Sequence, residues 1–257
     1  MNTPTFSIIT VCYQALDTLP STMDSLLHQT CNDFDYWIVD GGSTDGSLEL
    51  IQQYIPSFEK KGIRLHLSSE ADKGIYDAMN KGLKKAEGMY LCFLNAGDSL
   101  YADDTLEKIK QTLSGSNQPD FVYGETIIVD KNGDILGNRR LTAPKALHWK
   151  HFRMGMRVCH QAMFVKRSLA PSFDTKYRYS SDFDWSIRCL KSAKNILNTH
   201  LIHVRFLDGG VSKTRMKASL AERFAIMRQH YGLVPTALRH LWFVVRAAWF
   251  KLLHGWI

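Results

Sequence analysis

Four short apolar runs, at residues 6–12, 36–39, 63–67 and 89–94, are separated by three helical stretches at 18–29, 47–58 and 74–86. This alternation constrains the fold more than anything else in the chain. A strand followed by about a dozen helical residues and then another strand cannot be a hairpin; it returns over the sheet as a parallel crossover. The run at 6–12 is apolar and β-branched and that at 89–94 apolar, as strands covered on both faces are. Thr18 with Pro20 just behind it opens the first helix. The four-residue spacing of Ile75, Met79 and Leu83 gives the third helix its buried stripe. The expected class is α/β, a Rossmann-like sheet with helices on both faces. Ligands of such sheets sit beyond the carboxyl ends of the strands. Polar turns at Tyr13, at Asp40 and at Asn95–Asp98 all occupy that edge.

The second half is less regular. Residues 120–141 read as a hairpin turning at Lys131-Asn132-Gly133-Asp134. Residues 159–165 read as a strand, and 181–191 as a helix with Asp182 and Asp184 at its start. Two basic helical segments, 216–230 and 235–257, close the chain. Its 257 residues suffice for one domain with an appendage, and 45% apolar against 22% charged content is that of a globular protein. The net charge of +7 suits an anionic partner. It is too diffuse for nucleic acid, and no finger, helix-turn-helix or RNA-binding signature is present. Five cysteines stand far apart, three of them (Cys12, Cys92, Cys159) in apolar runs, so buried free thiols are expected rather than disulfides. The first residues lack a basic stretch and a cleavage site, and are expected to form a first strand, not a signal peptide.

Three stretches carry candidate chemistry. In VDGGSTDGS, Asp40 ends a strand beside two glycines, where its carboxylate could meet a ribose or a base N–H; Asp45 and Ser47 could equally cap the following helix. The spacing is not that of a dinucleotide fingerprint. In SEADKGIYDAMNKG, Lys73 precedes a helix N-terminus, a natural contact for a diphosphate, and Asp77 and Asn80 lie three apart on one face. A solvated charge run is the alternative. In FLNAGDSL, Asn95 and Asp98 could grip a metal ion with bound phosphates, or could cap the helix expected near Asp103.

Taken in order, FSIITVCY, IVDGGSTDG, SEADKGIYDAMNKG, FLNAGDSL, CHQAMF, SSDFDW and GGVS resemble glycosyltransferase family 2 over residues 5–215. The resemblance is closest to the bacterial branch that builds capsule, colanic-acid-like and O-antigen polysaccharide. It implies a GT-A fold, a mixed Rossmann-like sheet, for a domain of residues 1–215, to which residues 216–257 are expected to add C-terminal amphipathic helices. It also implies inverting transfer from a nucleotide-sugar donor to a lipid-linked saccharide acceptor, with Mg²⁺ or Mn²⁺. Carried over by motif, Thr10, Tyr13, Asp40, Lys73, Asp77, Asn80, Asn95 and Asp98 fall on the donor side, the last two at the metal. Asp182 is the expected general base, with Asp184 the alternative. His160 and Gln161 match the motif beside the acceptor cleft, a core histidine being the other reading of His160. Gly209, Gly210 and Ser212 match a loop that closes over the donor phosphates.

Two departures stand out: Asn95-Ala96-Gly97-Asp98 replaces an acidic D-x-D-D pattern, and Ser181 replaces the Glu of an E-D pair. Trp185 and His203 are expected to be buried. Competing classes are a sugar-phosphate nucleotidyltransferase, for which TVCYQALDTLP lacks the Gly-rich basic loop, and a non-catalytic nucleotide-sugar-binding partner, suggested by the missing acids.

In the final segment, Arg239, His240, Arg246, Lys251 and His254 fall within about 140° of a helical wheel, with Leu, Val, Phe and Trp filling the rest. No uncharged run approaches the roughly 20 residues of a membrane span. A basic amphipathic helix bearing tryptophans suits the surface of an anionic membrane, here the inner face of the cell membrane. The alternative is packing on its own domain or in a homodimer.

Overall fold

The computed structural model describes residues 3–114, 118–209 and 215–254, with backbone only at 244 and 247–254. The first half is the expected alternation: β1 (Phe6–Cys12), α1 (Leu19–Leu27), β2 (Phe34–Asp40), α2 (Ser47–Lys60), β3 (Arg64–Ser69), α3 (Ile75–Lys85) and β4 (Tyr90–Phe93). These four strands are parallel in the order β3-β2-β1-β4. Every residue of β1 and β4 is buried, which is why both read as mostly apolar runs. Gly82 brings α3 onto the sheet: a Cβ there would sit 2.5 Å from Ile9 Cγ2.

Beyond β4 the sheet becomes mixed. The remaining elements are β5 (Ser99–Leu100), α4 (Thr105–Thr112), β6 (Phe121–Val129), β7 (Ile135–Asn138), β8 (Met163–Lys166), α5 (Ser181–Ser192), β9 (Ile196–Leu207), α6 (Met216–Tyr231) and α7 (Leu233–His254). The sheet continues β4-β8-β6-β9-β5, with β7 beside β6 as the expected hairpin. Two features differ from the sequence reading. Residues 160–162 form a 3₁₀ turn ahead of β8 rather than part of a strand, closed by Ala162 N–H on Cys159 O at 2.9 Å. The 12-residue β9 has no counterpart in the sequence reading. Its alternation is broken where His200 takes φ 58°, and its register against β6 slips between Tyr123 and Glu125.

Ile226, Met227 and Tyr231 of α6 belong to the core, and Tyr231 stacks on Trp149 with centroids 5.4 Å apart. α7 then turns His240 inward, edge-on to Phe224 of α6 at 4.9 Å. All five cysteines are free and buried.

Candidate active site

The carboxyl ends of β1, β2 and β3 lie level, Cys12 pairing with Asp40 and Asp40 with Ser69. Tyr13 follows β1 and is 63% exposed. Asp40 is not available to a ligand, contrary to expectation. Its buried carboxylate accepts from the N–H groups of Gly42 (3.0 Å) and Ser43 (2.9 Å) and from the hydroxyls of Ser43 and Ser69 (2.7 Å). Burial alone would raise its pKa, but these donors outweigh it and hold it below the ordinary value. Asp40 shapes the loop that carries Gly41. A Cβ on Gly41 would lie 2.5 Å from Asp72 Oδ2 and 3.3 Å from Tyr13 Cδ2, so a side chain there would push the Asp72 carboxylate aside. Asp72 Oδ1 accepts from Gly74 N–H at 2.7 Å, and no donor meets Oδ2 among the described residues. The carboxylate edge beside the exposed ring is therefore that of Asp72, a residue the motif reading passed over. Its one sequence signal is an acid two positions before the glycine that opens a helix.

Several other polar residues of this edge make contacts within the fold. Thr10 is buried, donating to Leu94 O at 2.7 Å and accepting from the Tyr36 hydroxyl at 3.0 Å. Asp45 and Ser47 bind each other and the loop after β1, through Leu16 and Ala15 N–H. Asp77 accepts from Lys73 N–H at 3.0 Å and lies 3.9 Å from the Lys81 ammonium. Asn80 clamps Phe173 twice, donating to its carbonyl at 2.9 Å and accepting from its N–H at 2.7 Å. Lys73 stands exposed at the start of α3, with no carboxylate on its ammonium among the described residues.

A second cluster joins elements distant in sequence. Asp182, in the first turn of α5, accepts from the Tyr76 hydroxyl of α3 at 2.9 Å and lies 3.3 Å from His160 Nδ1. His160 Nε2 is in turn 3.4 Å from Asn95 Nδ2. Burial works against ionisation of Asp182. The hydrogen bond and charge of His160, the charge of Arg223 and the Tyr76 hydroxyl prevail, leaving its pKa below the ordinary value. Asp184, the alternative base, points elsewhere. It is 2% exposed, its oxygens taken by Arg188 Nε at 2.6 Å and His230 Nε2 at 2.7 Å. From α6, Glu222 accepts from the N–H groups of Arg178 (2.7 Å) and Tyr179 (2.8 Å), while Ser219 meets Ser180 at 2.9 Å. The approach to Asp182 is thus fixed from both sides.

The Asn95–Asp98 turn does not fit the expected cation. Asp98 is buried; Oδ1 accepts from Leu207 N–H at 3.0 Å and Oδ2 from Gln161 Nε2 at 2.6 Å. Burial pushes its pKa up to about 6 against the pull of those donors. Hard divalent ions take carboxylate, carbonyl and water oxygens. Here the turn's one carboxylate is engaged, and among the described residues no three His, Cys, Asp or Glu side chains gather as a metal would need. Nor does Asp98 cap α4: Thr105 Oγ1 accepts from Ala102 N–H (2.9 Å), and Gln29 Oε1 from Leu106 N–H (3.0 Å). Gln161 supports Asp98, and His160 faces Asp182. Trp185 and His203 are buried, as expected, and burial lowers the His203 pKa to about 4. Gly209 takes φ 108°; Gly210 and Ser212 lie outside the described residues.

Three comparisons bear on this geometry. The family model described as Glycosyl transferase family 2 matches residues 7–172. A "PGL/p-HBAD biosynthesis glycosyltransferase" of Mycobacterium tuberculosis is 34% identical over 230 residues, 87% of this chain and 85% of the relative. An "Uncharacterized glycosyltransferase" of Haemophilus influenzae is 28% identical over 223 residues, 86% of each chain. Among solved structures, S. aureus TarS (residues 1–349) superposes with a TM-score of 0.69 at 18% identity, covering 93% of this chain and 72% of that one. The mannosyltransferase PcManGT of Pyrobaculum calidifontis, in complex with GDP-Man and Mn²⁺, gives 0.65 at 17%, covering 100% and 77%. The mixed α/β architecture is that of these GT-A enzymes.

Proposed function

Because the chain belongs to glycosyltransferase family 2 and is an enzyme of that class, we propose that it moves a sugar, with inversion, from a nucleotide sugar to a hydroxyl of a lipid-linked saccharide. The observation that carries this reading is the Asp182 carboxylate held by Tyr76 and His160 at the start of α5. The acceptor oxygen attacks the anomeric carbon and the bond from that carbon to the diphosphate oxygen breaks. Asp182 takes the acceptor's proton, and the nucleoside diphosphate leaves. On the donor side, Tyr13 stacks on the base and Asp72 Oδ2 accepts from a base N–H. Lys73 and the N-terminus of α3 meet the diphosphate. Mg²⁺ or Mn²⁺ accompanying the donor would be carried by phosphate oxygens and water, since Asp98 is engaged by Leu207 and Gln161.

The acceptor's lipid places the reaction at the inner face of the membrane, and α7 supplies the contact. Val234, Leu238, Leu241, Trp242 and Val245 follow helical spacing and are each half exposed or more, with Arg239 and Arg246 beside them. Among the described residues no helix is long and apolar enough to cross a bilayer. The test is a panel of nucleotide sugars against lipid-linked and soluble saccharides, with NMR of the product's anomeric configuration. Acceptor-dependent nucleoside diphosphate release with inverted configuration supports the proposal. Pyrophosphate release, or retained configuration, overturns it.

A further inference from the structure

The helix that meets the donor also touches the base. α3 begins just after Lys73, and in its first turn Tyr76 reaches Asp182 Oδ1 at 2.9 Å. The phenol is set firmly. Its ring is 7% exposed and stacks on Phe173 with centroids 5.6 Å apart and planes 22° apart. Phe173 is itself bonded at both backbone groups to Asn80, one turn further along α3. Burial beside the Asp182 charge raises the phenol pKa well above its ordinary value, so the hydroxyl stays a donor. Among the described residues no other donor meets Asp182 Oδ1, and no polar contact but that of Tyr76 joins the first turn of α5 to α3.

We infer that Tyr76 is a positioning residue for the transfer, aiming the Asp182 carboxylate from the helix whose N-terminus receives the donor diphosphate. This rests on the reading of Asp182 as base. Donor placement and base placement then share one rigid element, which sets near-attack geometry better than two independent loops. The groups facing Asp182 are Tyr76 from α3, His160 and Cys159 from the turn before β8, and Arg223 from α6. Of these, Tyr76, His160 and Arg223 favour the ionised form, so losing the phenol hydroxyl raises the base's pKa.

The test is Tyr76→Phe in the full chain, which keeps the ring and its stack on Phe173. Expected are a roughly ten- to hundredfold fall in kcat, as for a lost hydrogen bond to a charged group, and a donor KM changed by less than about twofold. The acid limb of the kcat/KM profile should move to higher pH, a readout independent of how much variant is folded. An unmoved acid limb with wild-type kcat, while Asp182→Asn is inactive, overturns the inference and leaves the base intact. Full activity of Asp182→Asn overturns the underlying reading instead.

Discussion

Replacing Asp98 by asparagine separates a structural carboxylate from a metal ligand. The folded pKa is pushed up to about 6 from an ordinary 3.8 by burial. The native state therefore binds the proton more tightly than the unfolded chain. Its contribution to stability is fully present below about pH 4 and is lost as pH rises through about 6. A shift of some two units corresponds to about 3 kcal/mol. The introduced amide would keep an acceptor for Leu207 N–H, and the Gln161 amide could turn to accept from the new NH₂ group. That turn gives up the hydrogen bond from Cys159 Sγ to Gln161 Oε1, now 2.7 Å long. Allowing about 1 kcal/mol for it, Asp98→Asn should be more stable than wild type by about 2 kcal/mol at pH 7.5, and should lack the wild-type slope between pH 4 and 6. Urea unfolding at several pH values, with and without Mn²⁺, reads this directly. Stabilisation of wild type by Mn²⁺ that vanishes in Asp98→Asn would refute the reasoning, because a cation binding only the native state raises its stability.

Two further outcomes follow from the packing of α5, α6 and α7. Asp184→Asn removes the buried charge and one of the two acceptors that meet Arg188 and His230 and should cost about 3 kcal/mol in urea unfolding; rate per folded molecule should stay within about threefold of wild type, and a selective loss of kcat would return Asp184 to the chemistry. Truncation after Gly232 keeps α6 in the core and removes the outward apolar face. The shortened protein should stay folded, cease to co-sediment with anionic vesicles, and still use a short soluble acceptor; aggregation or lost dimerisation would assign that face to a second copy of the chain.

The parallel half of the sheet was legible because strands covered on both faces are buried along their length and so mostly apolar, as β1 and β4 are. β9 was not, since its bulge at His200 interrupts the period of two on which a strand reading depends. Within the site, sequence can show an acid beside glycines but not whether that acid is already used. Asp40 is consumed by Ser43 and by Ser69, 29 residues away, and Asp98 by Gln161 and Leu207, 63 and 109 residues on. Among the described residues Asp72 is bonded within its own turn and is left with an open edge. The choice between Asp182 and Asp184 was better defined than the motif suggested: two positions on a helix differ by about 200°, so one side chain faces His160 and the other His230. Tyr76 left no sequence signal, because its partner lies 106 residues away.

Donor binding and acceptor-dependent nucleoside diphosphate release, compared in wild type and Asp182→Asn, test the central claim most directly. With the acceptor's proton left without a base, transfer should fall by something like 10²–10⁴-fold. The donor dissociation constant should be unchanged, because Tyr13, Asp72 and Lys73 remain in place. Transfer by Asp182→Asn at the wild-type rate would contradict the account.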